Sequence, residues 1–420
     1  MLTTAARAYA RCWPALLAWF LLGWTARLLL LRVAASVGNE LPIVGQLILP
    51  LAVIARLASY VAMFLVLRAA LPTVADAEAP PEAGRGMRFL RRWGAAISAA
   101  ILPFFVIYAA WGMISEDSRD YAAAALDQAD VWGGSIRALD VVVDVWSIGL
   151  VVVAFVTRWL LQRFAERLPG WTSVVAAYLE AVWVLVALLI VRELLSGVPG
   201  WFATRRMFAP IVDVVATWRD EQPWFRWVGD ALSWLVTELG DVVFQPLAWV
   251  ALAAIVYAGI ATRTGTTANV RVARARAAVT ERWSRLPRRL RALLTTATGG
   301  FQERWLPIAG SLRIIWSAGP LALGGFLASY AIVHAAGEWL AIGLMRALGP
   351  HEFLFWTAID DPIDLLVVAL VIPLQLTLVA AAYDTALRRS IVPAAASDDD
   401  GRAEQVTTDE GGRPAAADRA

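Results

Sequence analysis

Residues 43–67 read IVGQLILPLAVIARLASYVAMFLVL, an apolar run that carries a single charge, Arg56. A helix rises 1.5 Å per residue, so about 20 such residues suffice to cross a hydrocarbon core about 30 Å thick. The run is continuous and rich in Ala and Leu, without the alternation of a membrane barrel strand, and so reads as a helix. Working outward, seven further stretches have the same character: 13–33, 94–114, 141–161, 171–191, 242–261, 320–344 and 364–386. The fold class that follows is all-α, a polytopic membrane bundle of about eight transmembrane helices occupying 1–390.

Composition agrees with this reading. The 420-residue chain is 59% hydrophobic and 17% charged, where soluble domains hold about 45–50% apolar and about 25% charged residues. The charges crowd between the apolar runs. A single soluble core is excluded, and Cys12, the lone cysteine, cannot staple a secreted scaffold. No basic face stands free of the apolar spans, so no nucleic-acid partner is expected.

Every basic residue is arginine and alanine is abundant, which suggests a high-GC bacterial genome and a multi-pass protein of the inner membrane. Arg7 and Arg11 precede the first span, but that run exceeds a typical signal-peptide core and Ala34-Ala35-Ser36 is a poor cleavage site. The first helix is therefore expected to stay uncleaved. Most of the remaining arginines fall on the segments that face the cytoplasm if the N-terminus is inside, giving an N-in, C-in orientation.

Three connecting segments have their own signatures. The inner arm 262–319, with Arg271, Arg274, Arg276, Arg282 and Arg285, reads as amphipathic helix on anionic headgroups and as a possible contact for membrane-protein partners. The outer segment 192–241 carries Trp201, Trp218, Trp224, Trp227 and Trp234 and reads as interfacial helices broken near Pro210 and Pro223. The tail 391–420, with Asp398, Asp399 and Asp400, has too few apolar residues to order itself and reads as a disordered cytoplasmic tail.

Ionisable groups inside apolar spans are costly, which makes them the first places to look for function. Arg56 and Glu180 lie near the middle of their spans with opposite charge, so they are expected to pair. The pair would either fix helix register or carry a proton or cation, with Arg56 tuning Glu180. His334 and Glu338 are four apart and share a helix face, at about the depth of Arg27 and Arg32, a combination that could relay protons near neutral pH. With Arg56, Glu180 and Arg27 they form the expected substrate or ion pathway.

A weaker set is acidic: Asp140, Asp144, Asp360, Asp361 and Asp364. Asp360-Asp361-Pro362-Ile363-Asp364 spells DDxxD, a spacing that can hold magnesium on a diphosphate. An aspartate followed by proline is also a helix start, and that reading is preferred here. Phosphate-loop, zinc-pair and nucleophile-elbow motifs are absent from the sequence, and only His334 and His351 supply imidazole. No cofactor is expected, no catalytic residue is assigned, and whether the chain is an enzyme is left open. The leading function is a transporter-like protein that moves a small solute or lipid-linked molecule. The alternatives are a non-catalytic scaffold subunit of an envelope or secretion complex and, behind it, a lipid-modifying membrane enzyme.

Overall fold

The computed structural model describes residues 1–76, 112–128, 145–164, 172–203, 221–261 and 319–410 continuously, together with part of 93–109 and a few positions between 168 and 219. All regular structure among them is helical. In chain order the helices are α1 (Leu2–Glu40), α2 (Pro42–Arg68), the short α3 (Pro72–Asp76), α4 (Met113–Asp127), α5 (Val145–Arg163), α6 (Thr172–Ala203), α7 (Pro223–Leu239), α8 (Gln245–Ala261), α9 (Pro320–Leu348) and α10 (Phe353–Glu410). Among the described residues six helical runs are long and apolar enough to cross a membrane: α1, α2, the middle of α6, the run from α7 into α8, α9, and α10 as far as Arg389. The chain is an all-α, multi-pass integral membrane protein. Expected spans 94–114 and 141–161 fall partly outside the described residues; within the second, α5 has a shorter apolar core, Gly149–Leu161.

Residues 43–67 lie in α2, which is central: 61% of its most apolar part is buried, against 17% for α9. A bilayer gives little hydrophobic reason for helices to associate, so close packing of small residues does the work. The α1–α2 hairpin shows how. Its corner is Leu41, flanked by Glu40 and by Pro42 at the first position of α2. A methyl group on Gly23 would sit 2.3 Å from the Ser59 Cβ, and one on Gly45 would sit 2.7 Å from the Gly38 Cα. The backbones therefore touch at two levels, and Ser59 Oγ donates to the Trp19 carbonyl at 2.9 Å across the upper contact. Around this hairpin Leu57, Val61 and Phe64 of α2, Val250 and Leu252 of α8, and Val379 and Ala380 of α10 are fully buried in one core.

Several sequence expectations change here. The Trp-rich segment does not break off from the span that follows it, because α7 passes into α8 through a π-turn, Gly240–Phe244. The cause is local. Pro246 has no N–H to close the ladder, and the Gln245 N–H reaches back to the Gly240 carbonyl instead, one residue wider than an α-turn. Pro223 does open a helix, as expected. Asp361 is not a helix cap: α10 begins at Phe353, with the Phe355 and Trp356 N–H groups both donating to the Glu352 carbonyl. The preceding turn satisfies the start of the helix, which leaves Asp360, Asp361 and Asp364 as side chains along its flank.

The expected tail 391–420 has helical backbone through Glu410, with its side chains and residues 411–420 outside the description. The basic arm 262–319, apart from Gly319, also lies outside the described residues.

Candidate functional site

The polar centre of the molecule is built on the α1–α2 hairpin. Arg27 and Arg56 lie 14 and 15 residues from the Leu41 corner, about 21 Å along their helices at 1.5 Å per residue. Because the helices run antiparallel in contact, the two guanidinium groups come level. Both arginines are buried, Arg27 at 1% and Arg56 at 6% exposure.

Their partners come from α4. The described residues between 93 and 109 are helical, and α4 starts at Met113 after Gly112, whose φ of +71° is a left-handed turn that glycine adopts without cost. The first two turns of α4 then present Glu116, Asp117 and Asp120 to the arginines. Arg27 donates from Nε to Asp117 Oδ1 at 2.7 Å and from Nη2 to Asp117 and Asp120. Arg56 donates from Nη2 to Glu116 Oε1 at 2.8 Å, with Asp117 Oδ1 3.5 Å away. Tyr108 donates its hydroxyl to the second Asp117 oxygen, and Trp24 places its ring 5.3 Å from the Arg27 Cζ, a cation–π distance.

Charge is not balanced in this cluster. Among the described residues two arginines face three carboxylates, and Asp364 of α10 stands within electrostatic reach of Glu116 and Asp120. Asp117 is enclosed, whereas Glu116 and Asp120 remain about two-fifths exposed, at 43% and 40%. The three α4 carboxylates have donor oxygens within 4.8 Å of one another, a spacing open to a divalent cation, but the arginines already take up the oxygens that face inward.

A cavity of about 210 Å³ abuts the cluster. Its polar lining is Asp117, Tyr108, Ser118 and Tyr121, and its apolar wall includes Leu31, Val53 and Leu185. Tyr121 is 4% exposed and its hydroxyl has no hydrogen-bond partner among the described residues. Arg27 Nη1 is likewise buried without a partner, beside a water-sized void lined by Trp24, Arg56, Ser59 and Tyr60. Buried polar atoms left open next to empty space are where a ligand or an ordered water would bind.

This arrangement corrects the expected Arg56–Glu180 pair. Glu180 is buried at 3% exposure, as its mid-span position requires, but its salt bridge is to Arg158 of α5 at 3.2 Å. Depth matching took 94–114 as one uninterrupted span and paired Arg56 with Glu180 by level and charge alone. The turn at Gly112 carries Glu116 and Asp117 down to Arg56 and leaves Glu180 to the neighbouring helix. Arg27 is corrected in the same way, since Asp117 and Asp120 occupy it in place of the His334–Glu338 couple.

His334 and Glu338 do share a face, and the structure joins them to Asp360, Asp364 and two amides, Gln245 and Gln375, around a second cavity of about 280 Å³ between α9 and α10. Asp361 is exposed on α10, and Asp140 and Asp144 fall outside the described residues. The α4 carboxylates were missed in the sequence, although a signal was present. Ile114, Asp117, Tyr121 and Ala125, the buried residues of α4, recur at steps of three and four, which places an aspartate on the apolar face of a helix. No family model, curated protein or solved structure matches the chain, so its side chains carry the functional argument alone.

Proposed function

We propose that this integral membrane protein is a transporter-like protein of the bacterial inner membrane, N-in and C-in, that moves a small solute or lipid-linked molecule past the Arg27–Arg56–α4 cluster. The observation that carries the reading is the acid excess at that cluster: three carboxylates against two arginines, on a helix that starts inside the bundle, beside a cavity with an open tyrosine hydroxyl. Unbalanced charge inside a bilayer is expensive and is found where protons, ions or polar substrates pass. Interrupted helices that turn their termini toward a site serve the same purpose in known transporter folds.

Solvent access tests this directly. Ser118 lines the cavity and is replaced by cysteine in a Cys12→Ser background, in the full chain in native membranes. A membrane-impermeant thiol reagent applied to each face in turn should label it, and Glu116→Gln should change the labelling rate. Absence of labelling from either face, in protein shown to be inserted, overturns the reading. That result would favour the scaffold alternative, which the exposed apolar flank of α9, with Leu321, Ile332 and Trp339, also suits.

A further inference from the structure

The cavity between α9 and α10 differs in kind from the cluster. Along α10 its lining residues Asp360, Asp364, Val367, Val371 and Gln375 recur every three or four positions, one stripe about 22 Å long at 1.5 Å per residue. Gly337 of α9 forms the floor, where an added methyl would meet Val371 Cγ2 at 2.7 Å. Polarity is graded along the groove. Asp360 and Asp364 stand toward the α9–α10 turn, Glu338 lies beyond them, and His334 and Gln375 close the far end.

Among the described residues none of the three carboxylates has a salt bridge and no arginine lines the cavity. Gln375 is 5% exposed and lines the cavity, and no side-chain hydrogen bond holds its amide among the described residues. Gln245 is brought to the wall at the end of the π-turn, which packs against α9; such bulges recur at functional sites. Acyl chains cannot fill this space, because three carboxylates against hydrocarbon would each cost several kcal/mol. Among the described residues metal-ligating atoms converge only on α4, so these carboxylates are too spread for one small ion. At about 280 Å³ the cavity stands at the lower edge of ligand sites, about 300–1,000 Å³, and its valine wall suits a short apolar body.

We propose that the α9–α10 cavity is a binding site for a primary ammonium group on a short apolar body, its charge set between Asp364 and Glu338 and its body lying along Val367 and Val371 toward Gln375. The ammonium can be that of a free amine or of an ethanolamine headgroup. This holds whether or not the chain transports anything.

The test uses the full chain purified in a neutral detergent, with thermal unfolding as the readout, because a ligand that binds the folded state raises the melting temperature saturably. Butylammonium chloride is compared with 1-butanol, sodium butyrate, magnesium chloride and sodium chloride. A second arm adds short-chain phosphatidylethanolamine or phosphatidylglycerol to the micelles. A saturable rise with butylammonium, with phosphatidylethanolamine, or with both supports the proposal and identifies the source of the ammonium. The effect should weaken at least tenfold in Asp364→Asn and in Glu338→Gln, both exposed positions that leave folding intact. Equal rises from butylammonium and butanol, an unchanged rise in both variants, or a rise from magnesium alone that Asp364→Asn abolishes would each overturn it.

Discussion

Two acidic sites in this molecule face opposite circumstances. On α4 the carboxylates meet arginines: Asp117 is enclosed by Arg27, Arg56 and Tyr108, and the pairing holds together two transmembrane helices and the start of a third. Along the α9–α10 groove Glu338, Asp360 and Asp364 have no such partners among the described residues, and the space before them is open. The two kinds of acid are lost at different cost. Removing a partner from an enclosed pair strands a charge in a low dielectric, whereas removing an open carboxylate relieves repulsion and forfeits only what it would bind.

The largest effect should come from Arg27→Ala. It leaves Asp117 and Asp120 without their main cation, and breaking a buried pair from one side costs about 3–5 kcal/mol. Loss of most folded protein, or a large fall in melting temperature in detergent, is the expected result; a near-unchanged melting temperature would place Asp117 in water and erase the contrast between the sites. Gly23→Val comes next, since a Cβ there meets Ser59 at 2.3 Å. Overpacking of this kind costs about 1–3 kcal/mol, and prising the hairpin apart should also raise solvent access at Ser118. Smallest is Asp364→Asn, expected to move stability by no more than about 0.5 kcal/mol in either direction. A large destabilisation there would mean that the groove acid is enclosed after all, and the two sites would then differ in degree alone.

How much of this was legible in the sequence divides along the same line. The long apolar runs specify membrane helices because hydrocarbon thickness leaves a polar-poor run of twenty residues little other fate. The burial of Arg56 and Glu180 was also legible, from depth alone. Their partners were not, because pairing depends on where a third segment turns. Gly112, inside an otherwise apolar stretch, is the residue that turns it, and nothing in the local pattern distinguishes a glycine that breaks a helix from one that lets helices touch, as Gly23 does. His334 and Glu338 were correctly placed on one face by their spacing. Their union with Asp360 and Asp364 depends on the antiparallel register of α9 and α10, which Gly337 and Val371 set by contact.

The π-turn was hidden for a related reason. Pro246 lies at the end of the turn and interrupts the ladder, but the delivery of Gln245 to the groove depends on where Gly240–Phe244 packs on α9. The DDxxD string shows the opposite hazard, since a motif that reads as a cap by residue type became a helix flank once Glu352 supplied the start.

α4, and not α6, supplies the counter-charges of the hairpin arginines. A pair of double-mutant cycles measures it, using thermal or denaturant unfolding of the purified chain: Arg56→Gln with Glu116→Gln, and Arg56→Gln with Glu180→Gln. Residues in contact couple by about 0.5–3 kcal/mol while distant ones add. Coupling in the first cycle and additivity in the second is the predicted result. Additivity in the first with coupling in the second would contradict it and restore Glu180 as the partner of Arg56.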